Sequence, residues 1–186
     1  MRPPKGGVSY SEALAAAYAS APEDEIILDT LEFNHPLFID GDGQPMGIRV
    51  VNDHLPLMAT LEADAPLNAG ELVEFRCTQF NFRRPSESDS GSLPEIELQI
   101  DNAARVLMPY LDIVKNSRDP IKLIWRPYLV SDLSGPHINP PLTLTIRTVG
   151  GDMNSLTARA GFTDLMNRRF PASEYTSKKF PGLAAR

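Results

Sequence analysis

Residues 95–114 read EIELQIDNAARVLMPYLDIV, and the period of their apolar residues changes once. Ile96, Leu98 and Ile100 alternate with Glu95, Glu97 and Gln99, the spacing of a strand with one buried face. From Asp101-Asn102 onward the apolar set is Ala103, Val106, Leu107, Tyr110, Leu111 and Val114, the spacing of one helix face. A strand running into an amphipathic helix predicts a sheet with a helix packed on it. Asp101 or Asn102 supplies the expected N-cap, and Pro109 inside the pattern predicts a kink.

Alternating segments flank this unit on both sides. An Ala-rich helix is expected from Ser11 to Ala21, docking through Leu14, Ala17, Tyr18 and Ala21. A strand follows from Glu25 to Phe33, ended by Asn34-His35-Pro36. Asp40-Gly41-Asp42-Gly43 reads as a hairpin-type turn between Leu37-Phe38-Ile39 and Ile48-Arg49-Val50-Val51. Leu57, Ala59 and Leu61 point inward from a third strand, and a long strand runs from Glu71 to Phe82. Its apolar set shifts from Val73, Phe75 and Cys77 to Phe80 and Phe82, which predicts a bulge near Thr78-Gln79. Residues 85–94 form a Ser-rich loop. Ile121 to Val130 is a strand whose Pro127 predicts an edge or a bulge. Leu142, Leu144 and Ile146 are expected to pair antiparallel with Leu156, Ala158, Ala160 and Phe162.

The pattern is mainly β with α (α+β), organised as a leader (1–10), one framework (11–164) and a C-terminal arm (165–186). The arm carries spaced apolar residues without sustained period and two prolines, so it either wraps its own domain or reaches a neighbour. At 186 residues the chain is long enough to bury roughly 70% of its unfolded surface. A net charge of −6 disfavours a nucleic-acid binder, which needs a basic face to displace phosphate counterions. The pairs Arg83-Arg84, Arg168-Arg169 and Lys178-Lys179 read as solvated surface. Cys77 is the only cysteine, which excludes an intrachain disulfide and fits synthesis in a reducing cytoplasm. Residues 1–7 lack the apolar core of a signal peptide, and no apolar run reaches the ~18 residues of a membrane helix.

Chemistry is thinly represented. His35, His54 and His137 each sit beside turn residues, and neither paired cysteines nor an HExxH helix offers a metal site. Asp40, Asp42 and Gly43 fail the calcium-loop pattern at its closing position. No GxSxG elbow, Walker loop or GxGxxG follows a strand. Cys77, at an inward strand position, is expected to be a small core residue. Trp125 with Tyr128 offers a carbohydrate-stacking platform, against the ordinary reading of a strand tryptophan as core. No cofactor is expected, and no catalytic residue stands out.

Four stretches carry a resemblance that covers residues 12–183. They are Ile27-Leu28-Asp29-Thr30-Leu31-Glu32 leading to His35-Pro36; Ile48-Arg49-Val50-Val51-Asn52-Asp53; Asp101-Asn102 with Arg105; and Phe170-Pro171, Tyr175 and Phe180-Pro181-Gly182-Leu183. The set resembles a family of tailed-phage and prophage proteins, a domain of unknown function encoded after the tape-measure gene. It is also similar to the hub domain of lambda-like minor tail protein L, whose cysteine-ligated iron–sulfur cluster finds no counterpart beside the lone Cys77. The resemblance implies an antiparallel β-sandwich or barrel of tail-tube or hub type, flanked by a helix. It further implies a non-enzymatic subunit of a virion tail tip, made in the host cytoplasm and not inserted in a membrane. Such a subunit forms a trimeric or hexameric ring with neighbouring tail-tip proteins (distal tail, hub and tape measure), with DNA only passing through the lumen. The expected partner contacts are Phe170, Tyr175, Phe180, Leu183, Arg83 and Arg84. The alternative function is a glycan-binding module contacting the host surface.

Overall fold

The computed structural model describes residues 9–20, 25–83, 95–101, 107–151 and 155–162. Strand dominates them, so the fold is mainly β with few helices. Its centre is the antiparallel pairing of β2 (Ile27–Asn34) with β8 (Lys122–Leu129), in register from Ile27↔Leu129 to Asn34↔Lys122. Burial in both strands runs residue after residue and does not alternate, because both of their faces are covered. One face carries Leu31, Phe33, Leu123 and Trp125 into the main core, and the other carries Leu28 and Tyr128 into a second core.

From this centre the sheet extends both ways. On one side lie β3 (Ile48–Val51), β5 (Leu72–Cys77) and β4 (Leu57–Thr60). On the other lie β10 (Leu142–Gly151), β11 (Ser155–Gly161), β7 (Glu95–Asp101) and β6 (Phe80–Arg83). The expected β10–β11 pair is present, with a register shift between Ile146 and Thr148. Not every pairing is antiparallel: β3 runs parallel to β5 through Val50↔Arg76 and Val51↔Cys77. The turn at Asp40–Gly43 also forms, since Asp40 Oδ1 accepts the N–H groups of Asp42 and Gln44 at 2.9 and 2.8 Å. Residues 37–39 contribute only the single bridge Ile39↔Pro45, however, and the strand partner of β3 is β2.

The long strand expected from Glu71 to Phe82 is two strands with different neighbours. β5 pairs with β3, while β6 pairs with β7 at the opposite edge of the sheet. The two strands stand seven inter-strand steps apart in the sheet order, about 34 Å if the sheet were flat. From Cys77 to Phe80 the chain spans at most ~11 Å. The sheet therefore curls enough to bring the end of β5 to the start of β6. Thr78 N–H donates to Val51 O at 3.0 Å and Phe80 N–H to Asn52 Oδ1 at 3.2 Å, stitching that junction. The change of parity falls at Cys77-Thr78: Thr78 is buried and Cys77 is exposed, which corrects the expectation of a core thiol.

Two further expectations are revised. The described helix α2 is Met108–Val114, with Asp101 in the strand before it and Pro109 in its first turn. A proline there starts the helix without kinking it, because first-turn N–H groups have no intrahelical acceptor to lose. Leu107 and Val114 seat α2 on the main core. Pro127 lies in the central strand and not at an edge. Its carbonyl accepts His137 N–H at 2.9 Å, so its backbone polar groups face away from β2. On that side β10 pairs only as far as Trp125, and the missing N–H costs no ladder bond. At the N-terminus, β1 (Ser9–Tyr10) pairs with β9 (Ile138–Asn139), and α1 (Glu12–Ser20) is capped by Ser11 Oγ, which accepts Leu14 N–H at 3.1 Å. Leu14 packs on Leu129, as expected of that residue, while the side chains of Ala17, Tyr18 and Ala21 lie outside the described ones.

Candidate interaction surface and the charge network beneath it

Thr30, Glu32 and Asn34 of β2 share a face with Lys122, Ile124 and Arg126 of β8. Arg126 is fully buried there. Its Nε and Nη2 donate to Glu62 Oε2 and Oε1 at 2.6 and 2.7 Å, and its Nη1 donates to Glu32 Oε2 at 2.6 Å. Arg49, opposite Glu32 on β3, donates to the same Glu32 oxygen at 3.3 Å and to Asn68 Oδ1 at 2.8 Å. Two carboxylates and two guanidiniums balance, which lets the set exist in the interior. Burial draws the Arg126 pKa down, but the hydrogen bonds to Glu62 and the charges of Glu32 and Glu62 outweigh it and hold the group above its ordinary value. Alongside, Tyr128 donates to Thr60 O at 2.9 Å, and burial pushes its phenol well above the ordinary range. Glu32 Oε1 and Asn34 Oδ1 are buried without a hydrogen-bond partner. They flank Gly47, where a Cβ would stand 2.7 Å from the first and 2.8 Å from the second.

The histidines are dispersed. Leu37 N–H donates to His35 Nδ1 at 3.0 Å, which leaves the proton on Nε2 to reach Asp119 O at 3.0 Å. His137 shares a 3.1 Å hydrogen bond with Ser11 Oγ near the other end of β8, roughly 17 Å along the strand. His54 is exposed in the bend after β3. Among the described residues no three His, Cys, Asp or Glu side chains cluster as metal ligands. Trp125 and Tyr128 are 1% and 0% exposed, so the carbohydrate platform expected from them does not exist. Trp125 stacks on Phe82 inside the core and donates to Asp29 Oδ1 at 2.8 Å.

Among the described residues, grooves of two kinds bear on this surface. One, of about 600 Å³, lies between α2 and the end of β10; Lys115, Arg118 and Arg147 line it beside Leu111 and Val149. The other, of about 470 Å³, lies over Ile124 on the face of the charge network, walled by four prolines. Of the expected partner contacts, Arg83 ends β6, opposite Glu97. Arg84, Phe170, Tyr175, Phe180 and Leu183 lie outside the described residues, as does the loop 85–94.

One family description, Domain of unknown function (DUF1833), matches residues 13–175. The chain belongs to the DUF1833 family. No curated protein matches it. In this DUF1833 chain no described helix is long and apolar enough to cross a membrane. Sequence reasoning missed Glu32, Arg49, Glu62 and Arg126, the best-organised polar group in the described structure. A signal was present: Glu32 stands between Leu31 and Phe33 and Arg126 directly follows Trp125, and a charged residue at a buried strand position requires a partner.

Proposed function

We propose that this DUF1833 chain is a non-enzymatic structural subunit of the distal tail tip or baseplate hub of a tailed phage or prophage. One observation carries the reading: residues of the motif stretches that suggested it serve as joints of the framework. Asp29 holds the Trp125 indole, Glu32 anchors Arg126, His35 ties the end of β2 to Asp119, and Asn52 stitches β3 to β6. Polar residues used in this way specify a rigid shape, which is what a ring subunit has to supply to its neighbours.

In this reading the curled sheet is a tail-tube or hub barrel, copies close into a ring, and the acidic surface faces a lumen through which DNA slides. Phe170, Tyr175, Phe180 and Leu183, with Arg83 and Arg84, contact neighbouring subunits of the ring. The test is deletion of residues 170–186, followed by circular dichroism of the subunit and electron microscopy of tails. A folded subunit missing from tails is the expected result. Complete tails containing the truncated subunit would refute the assignment of the arm.

A further inference from the structure

We propose that in the free chain the proline-walled groove is the seat of the chain's own C-terminal segment, residues 163–186. This inference concerns the isolated protein and does not depend on the tail-tip reading. The groove is walled by Pro36, Pro45, Pro66 and Pro120, with Leu67 and Ile124 completing its apolar lining. Proline rings present flat C–H surfaces without a donor, which favours an aromatic or aliphatic occupant over a polar one. The segment supplies such groups at intervals, in Phe170-Pro171, Tyr175 and Phe180-Pro181.

Position favours the same pairing. The last strand, β11, ends at Gly161, which lies in one sheet row with Thr145, Lys122 and Asn34. Lys122 and Asn34 line the groove, so the chain leaves the sheet within about 14 Å of it, three inter-strand steps away. Phe170 is eight residues past Phe162 and reaches up to ~28 Å, so the tether imposes no strain. A tether this short raises the local concentration of the segment to the millimolar range, which favours the cis contact over a second copy.

Charge separates the two grooves. Residues 163–186 carry five basic side chains against Asp164 and Glu174, a net +3, which leaves −9 of the chain's −6 on residues 1–162. The groove beside α2 is lined by Lys115, Arg118 and Arg147 against Asp112 and Asp119, whereas the proline-walled groove has Lys122 balanced by Asp119. A basic segment on an acidic body is attracted overall and discouraged from the α2 groove. Distance does not separate the grooves, because Arg147 of the α2 groove lies beside Gly161, where the chain leaves the sheet, so the choice between them rests on charge and on the apolar proline walls.

The test is photo-crosslinking of the full chain with benzoylphenylalanine at position 170 or 180, mapped by mass spectrometry in a mixture of ¹⁴N and ¹⁵N chains. Links within one chain to residues 34–45, 66–67 or 119–124 are expected. Leu67→Arg, or Thr143→Arg from the exposed opposite wall, is expected to cut their yield by about tenfold, since either puts a guanidinium against apolar surface. The second variant covers the case in which the first fails to fold. Links chiefly to 108–118 and 147–151, links chiefly between light and heavy chains, or a yield unchanged by a folded groove variant would each overturn the proposal.

Discussion

Arg126 Nη1 lies 2.6 Å from Glu32 Oε2, and neither side chain is exposed to solvent. The pair is set by register: Thr30 stands opposite Arg126 in the β2–β8 ladder, and Glu32 is two residues farther along the same face. Removing one member leaves the other charged and buried. Arg126→Met and Glu32→Leu are each expected to lose about 3–5 kcal/mol in urea unfolding, while the double variant recovers part of that loss. Additive losses would show that the two groups are not coupled.

Gly47→Ala places a methyl group against two buried oxygens, Glu32 Oε1 and Asn34 Oδ1. About 1–3 kcal/mol of stability is expected to be lost, the range for overpacking a filled interior. Combining it with Asn34→Ala, which removes one obstructing oxygen, should restore part of the melting temperature. An unchanged melting temperature for Gly47→Ala alone would mean that the strand shifts freely there.

Tyr128 gives the alkaline limb of the stability profile. Burial, the largest cause, raises its phenol above the ordinary 10.0, with the nearby Arg126 charge opposing. A raised folded value means that the neutral phenol belongs to the native state. Its contribution is therefore complete below pH 10 and is lost as the pH rises beyond that. Ultraviolet titration should show one tyrosine ionising only as the protein unfolds, and Tyr128→Phe should abolish that step. The same substitution removes the donor to Thr60 O, at a cost of about 1 kcal/mol at neutral pH.

Asp132 acts at the opposite end of the pH scale. Hydrogen bonds from the Ser134 hydroxyl and backbone hold its carboxyl below the ordinary 3.8. A lowered folded value stabilises the native state above pH 3.8, and the contribution disappears as the pH falls through that lower value. Asp132→Asn is expected to flatten the acid limb of a thermal unfolding profile slightly and leave neutral stability nearly unchanged, because the group is exposed.

Asn52→Ala removes the acceptor for Phe80 N–H where the end of β3 meets the start of β6. A loss of about 1–2 kcal/mol is expected, with hydrogen exchange accelerated at Phe80 before the β2–β8 centre. Uniform acceleration would show that the junction opens only with the whole fold.

Local pattern in the sequence foretold the strands well, because each alternates or runs apolar for a reason that acts within a few residues. The β10–β11 pair, the capped α1 and the inward set Leu57, Ala59 and Leu61 all follow from such rules. Partnership did not follow. Nothing near Cys77 announces that β5 and β6 serve opposite ends of one sheet, since that outcome depends on β3 and β7, which lie far away in the chain. Pro127 misled for a similar reason, because a proline is tolerated centrally wherever a neighbouring strand stops short. The charge network needed a spatial partner for Glu32 that lies 94 residues away.

The central ladder has a consequence during synthesis. Thr30 Oγ1 donates to Arg126 O across 96 positions. At ribosomal speeds of about 5–20 residues per second, Leu31 and Phe33 wait roughly 5–20 s for the strand that shields them. The nascent amino-terminal half therefore offers a sticky apolar ribbon to chaperones, and slowing translation ahead of codon 122 should lower the soluble yield.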